Sequence, residues 1–223
     1  MKILFAQMRR DLALIWAGRG EAVVMLAYFL IIITLFPLAI GPDMATLRPM
    51  ALPVIWIAAL LASLAGFSRI FNEDVRSGWV DQVALSPLPL GIYALSKAVS
   101  HWLAGGLPML LATPVLALML YVDLKSLAPL MLALAIGTMA LTLVGVLAAA
   151  LGEGARNGGS LMALLVLPLA LPVLIFGTLA STPDNGSLVS PHMLLLMAVL
   201  AALLAIVPVA AAAALAEAET DSS

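Results

Sequence analysis

Six uncharged apolar blocks, each long enough to cross a bilayer, constrain this chain more than any motif it carries. They cover residues 22–40, 51–67, 98–121, 127–151, 161–180 and 193–215, and about 20 such residues suffice for one helical crossing. Hydrophobic residues make up 64% of the chain and charged residues 10%, so the few charges must sit between the blocks. The pattern predicts an all-α polytopic membrane protein with about six transmembrane helices. No stretch between blocks is long enough to bury a core of its own, so residues 1–223 are expected to form a single transmembrane domain. Cysteine is absent, which excludes disulfides, thiolate catalysis and cysteine-ligated metal.

Lys and Arg set the expected orientation. With the N-terminus in the cytoplasm, Lys2, Arg9, Arg10, Arg19, Arg69, Arg76, Lys97 and Arg156 lie inside, and only Arg48 and Lys125 lie outside. Cationic residues concentrate on the cytoplasmic side of membrane proteins, so both termini are expected there, including the acidic tail 217–223. Trp16, Trp56, Trp102 and Tyr121 are expected in an interfacial aromatic belt. The first block begins after some twenty residues of mixed character and has the length of a span, which reads as a retained helix rather than a cleaved leader.

Residues 2–19 do not form a span. On a helical wheel Leu4, Phe5, Met8, Leu12, Ile15 and Trp16 share one face, and Lys2, Gln7, Arg10 and Asp11 share the other. This predicts a helix lying in the headgroup plane, its polar face toward water. Gly41-Pro42-Asp43 should end the first span, 122–126 leaves room only for a tight turn, and 181–191 is the longest outer loop. The glycine-dense turn 152–159 lacks the following Lys of a phosphate loop and joins two spans, so it reads as a turn. No Walker motif occurs anywhere in the chain, so any ATP must be bound by another subunit.

The loop 68–97 has the most internal logic. Ile70 to Arg76 can continue as a helix, with Glu73 and Asp74 in water. Ser77-Gly78 permits a reversal, and Trp79 to Leu85 can form a second short helix with Trp79, Val80, Val83 and Ala84 on its apolar side. Pro87 and Pro89 end that helix. Such an element can dock in a partner's groove.

Asp74-x-x-x-Gly78, Asp81-Gln82-Val83 and Leu85-Ser86-Pro87 together resemble the cytoplasmic loop of ABC-2-type exporter permeases. Ile32 to Pro42, Val54 to Ser63, Lys97-x-x-x-His101-Trp102 with Gly106-Leu107-Pro108, and Leu165 to Phe176 extend the likeness over nearly the whole chain. In order and spacing the chain is similar to the haem exporter protein B (CcmB) family of cytochrome c maturation. The resemblance implies a bacterial inner-membrane permease subunit that handles haem as cargo. ATP would be hydrolysed on a CcmA-like ATPase subunit, with CcmC-, CcmD- and CcmE-like proteins as further partners and self-association as a dimer. It also implies a cytoplasmic coupling helix in this loop, formed by Glu73, Asp74, Arg76, Gly78, Trp79, Asp81, Val83, Leu85 and Pro87. Two alternatives stay open at this level. One is a scaffold that transports nothing itself and through which ATP hydrolysis releases haem-loaded chaperone; the other is the permease of another ABC-2-type exporter.

Outside the loop, Pro168 and Pro172 lie on one helical face and free the carbonyls of Leu164 and Pro168, so that face should meet protein or water. It is a candidate for a helix kink or a substrate-facing wall, with simple packing as the alternative. His101, at the expected cytoplasmic end of the third span, and His192, at the outer end of the sixth, are possible haem contacts on opposite sides of the membrane. No ionisable group is expected deep in a span, where it would require about 2.5–3.5 kcal/mol; Glu21 and Lys97 are read as edge residues. Ser63, Ser100 and Ser160 lack a partner base, so an intramembrane hydrolase is not supported. No enzymatic role, resident cofactor, metal or nucleic acid is expected for this chain.

Overall fold

The computed structural model describes residues 6–13, 20–153, 158–183 and 188–222, and the described residues are almost entirely helical. Helix α1 covers residues 6–13. It precedes α2 (Gly20–Ile40) and α3 (Met44–Phe67). Two short helices follow, α4 (Asn72–Arg76) and α5 (Trp79–Ala84). Next come α6 (Leu90–His101), a π-helical turn (Trp102–Gly106) and α7 (Leu107–Met119). Helices α8 (Leu124–Glu153), α9 (Gly158–Ala180) and α10 (Pro191–Ser222) complete the bundle.

Among the described residues, five segments are long and apolar enough to cross a membrane: Ala22–Ile40, Met44–Arg76 (α3 running on through the start of the loop into α4), Leu90–Met119, Leu124–Glu153 and Pro191–Glu217. Helix α9 holds the fifth apolar block, and over Leu164–Ala180 it is a shorter apolar helix. The chain is a multi-pass, all-α membrane protein. The blocks fall in helices as expected, and most helices outrun their blocks at the N-terminal end, whereas the third block runs two residues past the end of α7 at Met119. Asp43 caps α3, its carboxylate accepting from the Thr46 backbone N–H at 3.1 Å and from the Thr46 hydroxyl at 2.8 Å. The second span therefore starts at Met44, and the first outer turn shrinks to residues 41–43, with Gly41 at φ +101°. The third span starts at Leu90, directly after Pro89, so the loop is 68–89 rather than 68–97. Its first two turns carry Tyr93, Ser96 and Lys97, which hide the helix from a hydropathy reading.

Helix α8 is the central post, most of its apolar stretch buried where those of α2 and α10 are mostly uncovered. It packs chiefly on α9, α10 and α3. Trp56 of α3 is fully buried and lies where any side chain at Gly137 of α8 or Gly177 of α9 would stand. Its indole N–H donates to Ser181 Oγ at 3.0 Å. The expected place of Trp56 in an aromatic belt is thus overturned, because small residues on two neighbouring helices open a slot for it in the core. Trp102 also points inward, donating to Thr138 Oγ1 of α8 at 2.9 Å. Tyr121 is exposed near the outer turn. Trp16 and the centre of the glycine-rich turn (154–157) lie outside the described residues.

Candidate functional site

Gly78 makes the loop a hairpin of two short helices. At φ +67° and ψ 19° it holds the left-handed conformation that glycine adopts at least cost. α4 ends there and α5 leaves in a new direction. Past α5, the Ser86 hydroxyl donates to the Val83 carbonyl at 2.7 Å and accepts from Leu88 N–H at 3.2 Å. That fixes the turn into Pro89. Val80 and Val83 are buried, Trp79 is half-buried, and Ala84 is exposed, contrary to its expected place on the apolar side.

Beneath the hairpin lies a polar junction that joins three distant segments. Asp74 is 1% exposed, where an exposed position was expected. Its Oδ1 accepts from Arg10 at 3.0 Å. Its Oδ2 accepts from the Tyr93 hydroxyl at 2.5 Å and meets Lys97 Nζ at 2.5 Å. The same ammonium donates to Asp11 Oδ1 at 3.0 Å. Gln7 Nε2 donates to both Asp11 oxygens at 3.1 Å, and Gln7 Oε1 accepts from the Trp79 indole N–H at 3.2 Å. The Arg10 guanidinium stacks 4.0 Å above the Trp79 ring. Two carboxylates thus face two cations, and the pocket is neutral as a whole.

Local sequence explains the convergence. Gln7, Arg10 and Asp11 are three and four apart and share one face of α1, as do Tyr93 and Lys97 on α6. The polar face of α1 therefore meets protein, which corrects its expected exposure to water. Burial pushes the Asp11 carboxyl above its ordinary range, and the neighbouring Lys97 charge opposes that rise. Lys97 is itself buried inside a span, not at an edge; its long stem lets the ammonium reach the junction. Of this set the sequence reading named only Asp74 and Trp79 as site residues. Tyr93 and Lys97 carried a detectable signal, a polar i, i+4 pair just ahead of an apolar block.

The other expected site residues scatter. Glu73, Arg76, Asp81, Leu85 and Pro87 are exposed on the outer surface of the hairpin, and Leu85 is 92% exposed. His101 is buried rather than interfacial. It packs 6.2 Å from the Phe67 ring centroid and close to Gly66, because its span starts eleven residues earlier at Leu90. His192 is half-buried at the start of α10. That helix passes the start of α6 only at Pro208, so the two histidines stand at different levels of the bundle. Pro168 is exposed and Pro172 half-buried, and Leu164, Leu167, Leu171 and Ile175 beside them are exposed as well. Within the chain this face is largely open, so the protein or water expected there is not supplied by the rest of the bundle.

The family described as "CcmB protein" matches residues 2–218, which include every residue of the junction and the hairpin. The chain belongs to the CcmB family. Among its relatives is the Heme exporter protein B of Bradyrhizobium diazoefficiens, 44% identical over 181 residues, covering 81% of this chain and 82% of that one. The Heme exporter protein B of Pseudomonas aeruginosa is 40% identical over 212 residues, 92% and 93% of the two chains. That of Escherichia coli (strain K12) is 40% identical over 208 residues, 93% and 94%. As a CcmB family member the chain is a membrane component, and its buried charged groups among the described residues meet in the junction beneath the hairpin.

Proposed function

We propose that the chain is the permease subunit of an ATP-driven haem exporter serving c-type cytochrome maturation, and that a separate ATPase subunit grips it at α5. Membership of the CcmB family and the relatives' name, Heme exporter protein B, support haem as the cargo. The observation that carries the coupling role is the hairpin's geometry. Leu85, a large apolar side chain, stands 92% exposed beside Asp81 and Pro87, while Asp74 behind it is fastened in the buried junction. An exposed apolar tip on a firmly held short helix is what a partner groove can take hold of. Motion of the ATPase would then be transmitted to α3 and α6, which flank the loop. In this reading the hairpin and both termini face the cytoplasm of a bacterium, the protein spans the inner membrane as one permease unit, and two copies pair with two ATPase subunits. CcmC-, CcmD- and CcmE-like proteins complete the assembly.

The test is co-purification from membranes. Leu85→Asp should remove the ATPase subunit from the isolated complex and abolish cytochrome c maturation, while the bundle itself stays folded. Undiminished ATPase recovery with that variant would overturn the assignment of α5.

A further inference from the structure

The buried junction touches no expected cargo or nucleotide site, yet it brings carboxylates from two separate elements, α1 and α4, onto one ammonium of a third, α6. We propose that Asp11, Asp74 and Lys97 are positioning residues that clamp α1, the 68–89 hairpin and α6 into a single rigid body, which pivots at the π-helical turn Trp102–Gly106. This inference rests on the coupling role proposed for α5.

Two sets of observations carry it. The first concerns what holds the body together. Asp11, Asp74, Tyr93 and Gln7 are 2%, 1%, 0% and 5% exposed, so pulling α1 or the hairpin away would strand a charge out of reach of water. The Gln7–Trp79 hydrogen bond and the Arg10 stack on Trp79 tie α1 directly to the first residue of α5. Displacing the elements together keeps every one of these contacts. The second set concerns where the body ends. Five residues below Lys97 the backbone leaves the α-helical pattern for a π turn, a local widening of the helix found often at functional sites. Gly105 and Gly106 sit in that turn, and their missing side chains admit Met25 of α2 and the Trp102 ring. Trp102 anchors the turn to the central helix through Thr138. A 12-residue α6 above this point makes an arm of about 18 Å, fixed to the hairpin at one end and to the pivot at the other, with α10 packed along its side at Gly91 and Pro208, so that α10 must slide or move with it.

The chain has no cysteine, so spin labels go only where cysteines are introduced. Suitable positions are the exposed Arg9 of α1, Asn72 of α4 and Leu132 of α8. Distances 9–72 and 72–132 would be measured on the chain assembled with its ATPase subunit in nanodiscs, first without nucleotide and then with ATP and vanadate. The expected result is one narrow 9–72 distance, the same in both states, with a 72–132 distance that shifts. In the Asp11→Asn/Lys97→Met double variant Asp74 keeps Arg10 and Tyr93, so no lone buried charge is left to unfold the protein. There the 9–72 distribution should broaden with nucleotide, and ATP turnover should continue without the 72–132 shift. The single Lys97→Arg variant, which keeps a cation facing both carboxylates, should keep both distances as in the parent. A 9–72 distance that changes with nucleotide in the parent protein would overturn the rigid body, as would a double variant that behaves like the parent. A parent 72–132 distance that stays fixed while 9–72 also stays fixed would instead sink the coupling reading beneath it.

Discussion

Val83, in the last turn of α5, and Leu85, the residue just past its end, are two residues apart and have opposite fates. Val83 is 4% exposed and packs into the core, whereas Leu85 projects outward. An aspartate at 83 would bury an unpaired carboxylate, so Val83→Asp should lower stability by more than about 3 kcal/mol. An aspartate at 85 should stay within about 0.5 kcal/mol of the parent. Thermal unfolding of the purified chain in detergent separates the two: a Leu85→Asp melt as low as that of Val83→Asp would show that the tip is not free. Gly78 provides a purer backbone test. A Cβ there would find only Asp81 Oδ2, at 3.6 Å, so Gly78→Ala adds left-handed strain and little else. The expected loss is about 1 kcal/mol, read by the same melts.

At the scale of elements, α3 shows how a cap and a slot define a span. Asp43 starts the helix, and the Thr46 hydroxyl holds its carboxyl below the ordinary carboxylate range. A carboxyl with a depressed pKa contributes stability above its unfolded value and loses it as pH falls through the folded one. The protection of the Thr46 amide, measured against its intrinsic exchange rate at each pH, should therefore be high at neutral pH and fall once the medium is acid enough to protonate Asp43. Asp43→Asn should weaken that acid dependence. Further along the same helix, Trp56 fills the space that Gly137 and Gly177 leave empty. Trp56→Ala should cost about 3–5 kcal/mol and loosen α3 from both α8 and α9. Denaturation of that variant together with exchange protection along the three helices would check it.

For the whole molecule, the central helix is buried and the flanking ones present apolar side chains outward, as a bundle solvated by lipid requires. Leu38 of α2, Leu111 and Val115 of α7, and Leu164 of α9 are all more than 65% exposed. The hairpin lies at one end of this bundle, and the turns at 41–43 and 120–123 lie at the other, joined by the Arg48–Asp123 ion pair. Membrane-impermeant thiol labelling of single cysteines should reach position 72 only from the cytoplasmic side and position 188 only from the opposite side. Labelling of both from one side would contradict the arrangement.

Composition and block length by themselves determined that this chain crosses a membrane on helices, and the Gly41, Gly78 and Pro89 breaks marked where those helices turn. Such features are local: a span needs only a run of apolar residues, and a turn needs only a residue with the right backbone freedom. The loop motif and its family kinship were legible for the same reason. What tertiary structure decided is which polar groups are buried. Asp11, Asp74 and Lys97 are 63 and 23 residues apart along the chain, and each read singly as a charge in water or at an edge. Only folding places them around one another, and a charge in a dry interior is tolerated only where its counter-charge arrives from elsewhere in the fold.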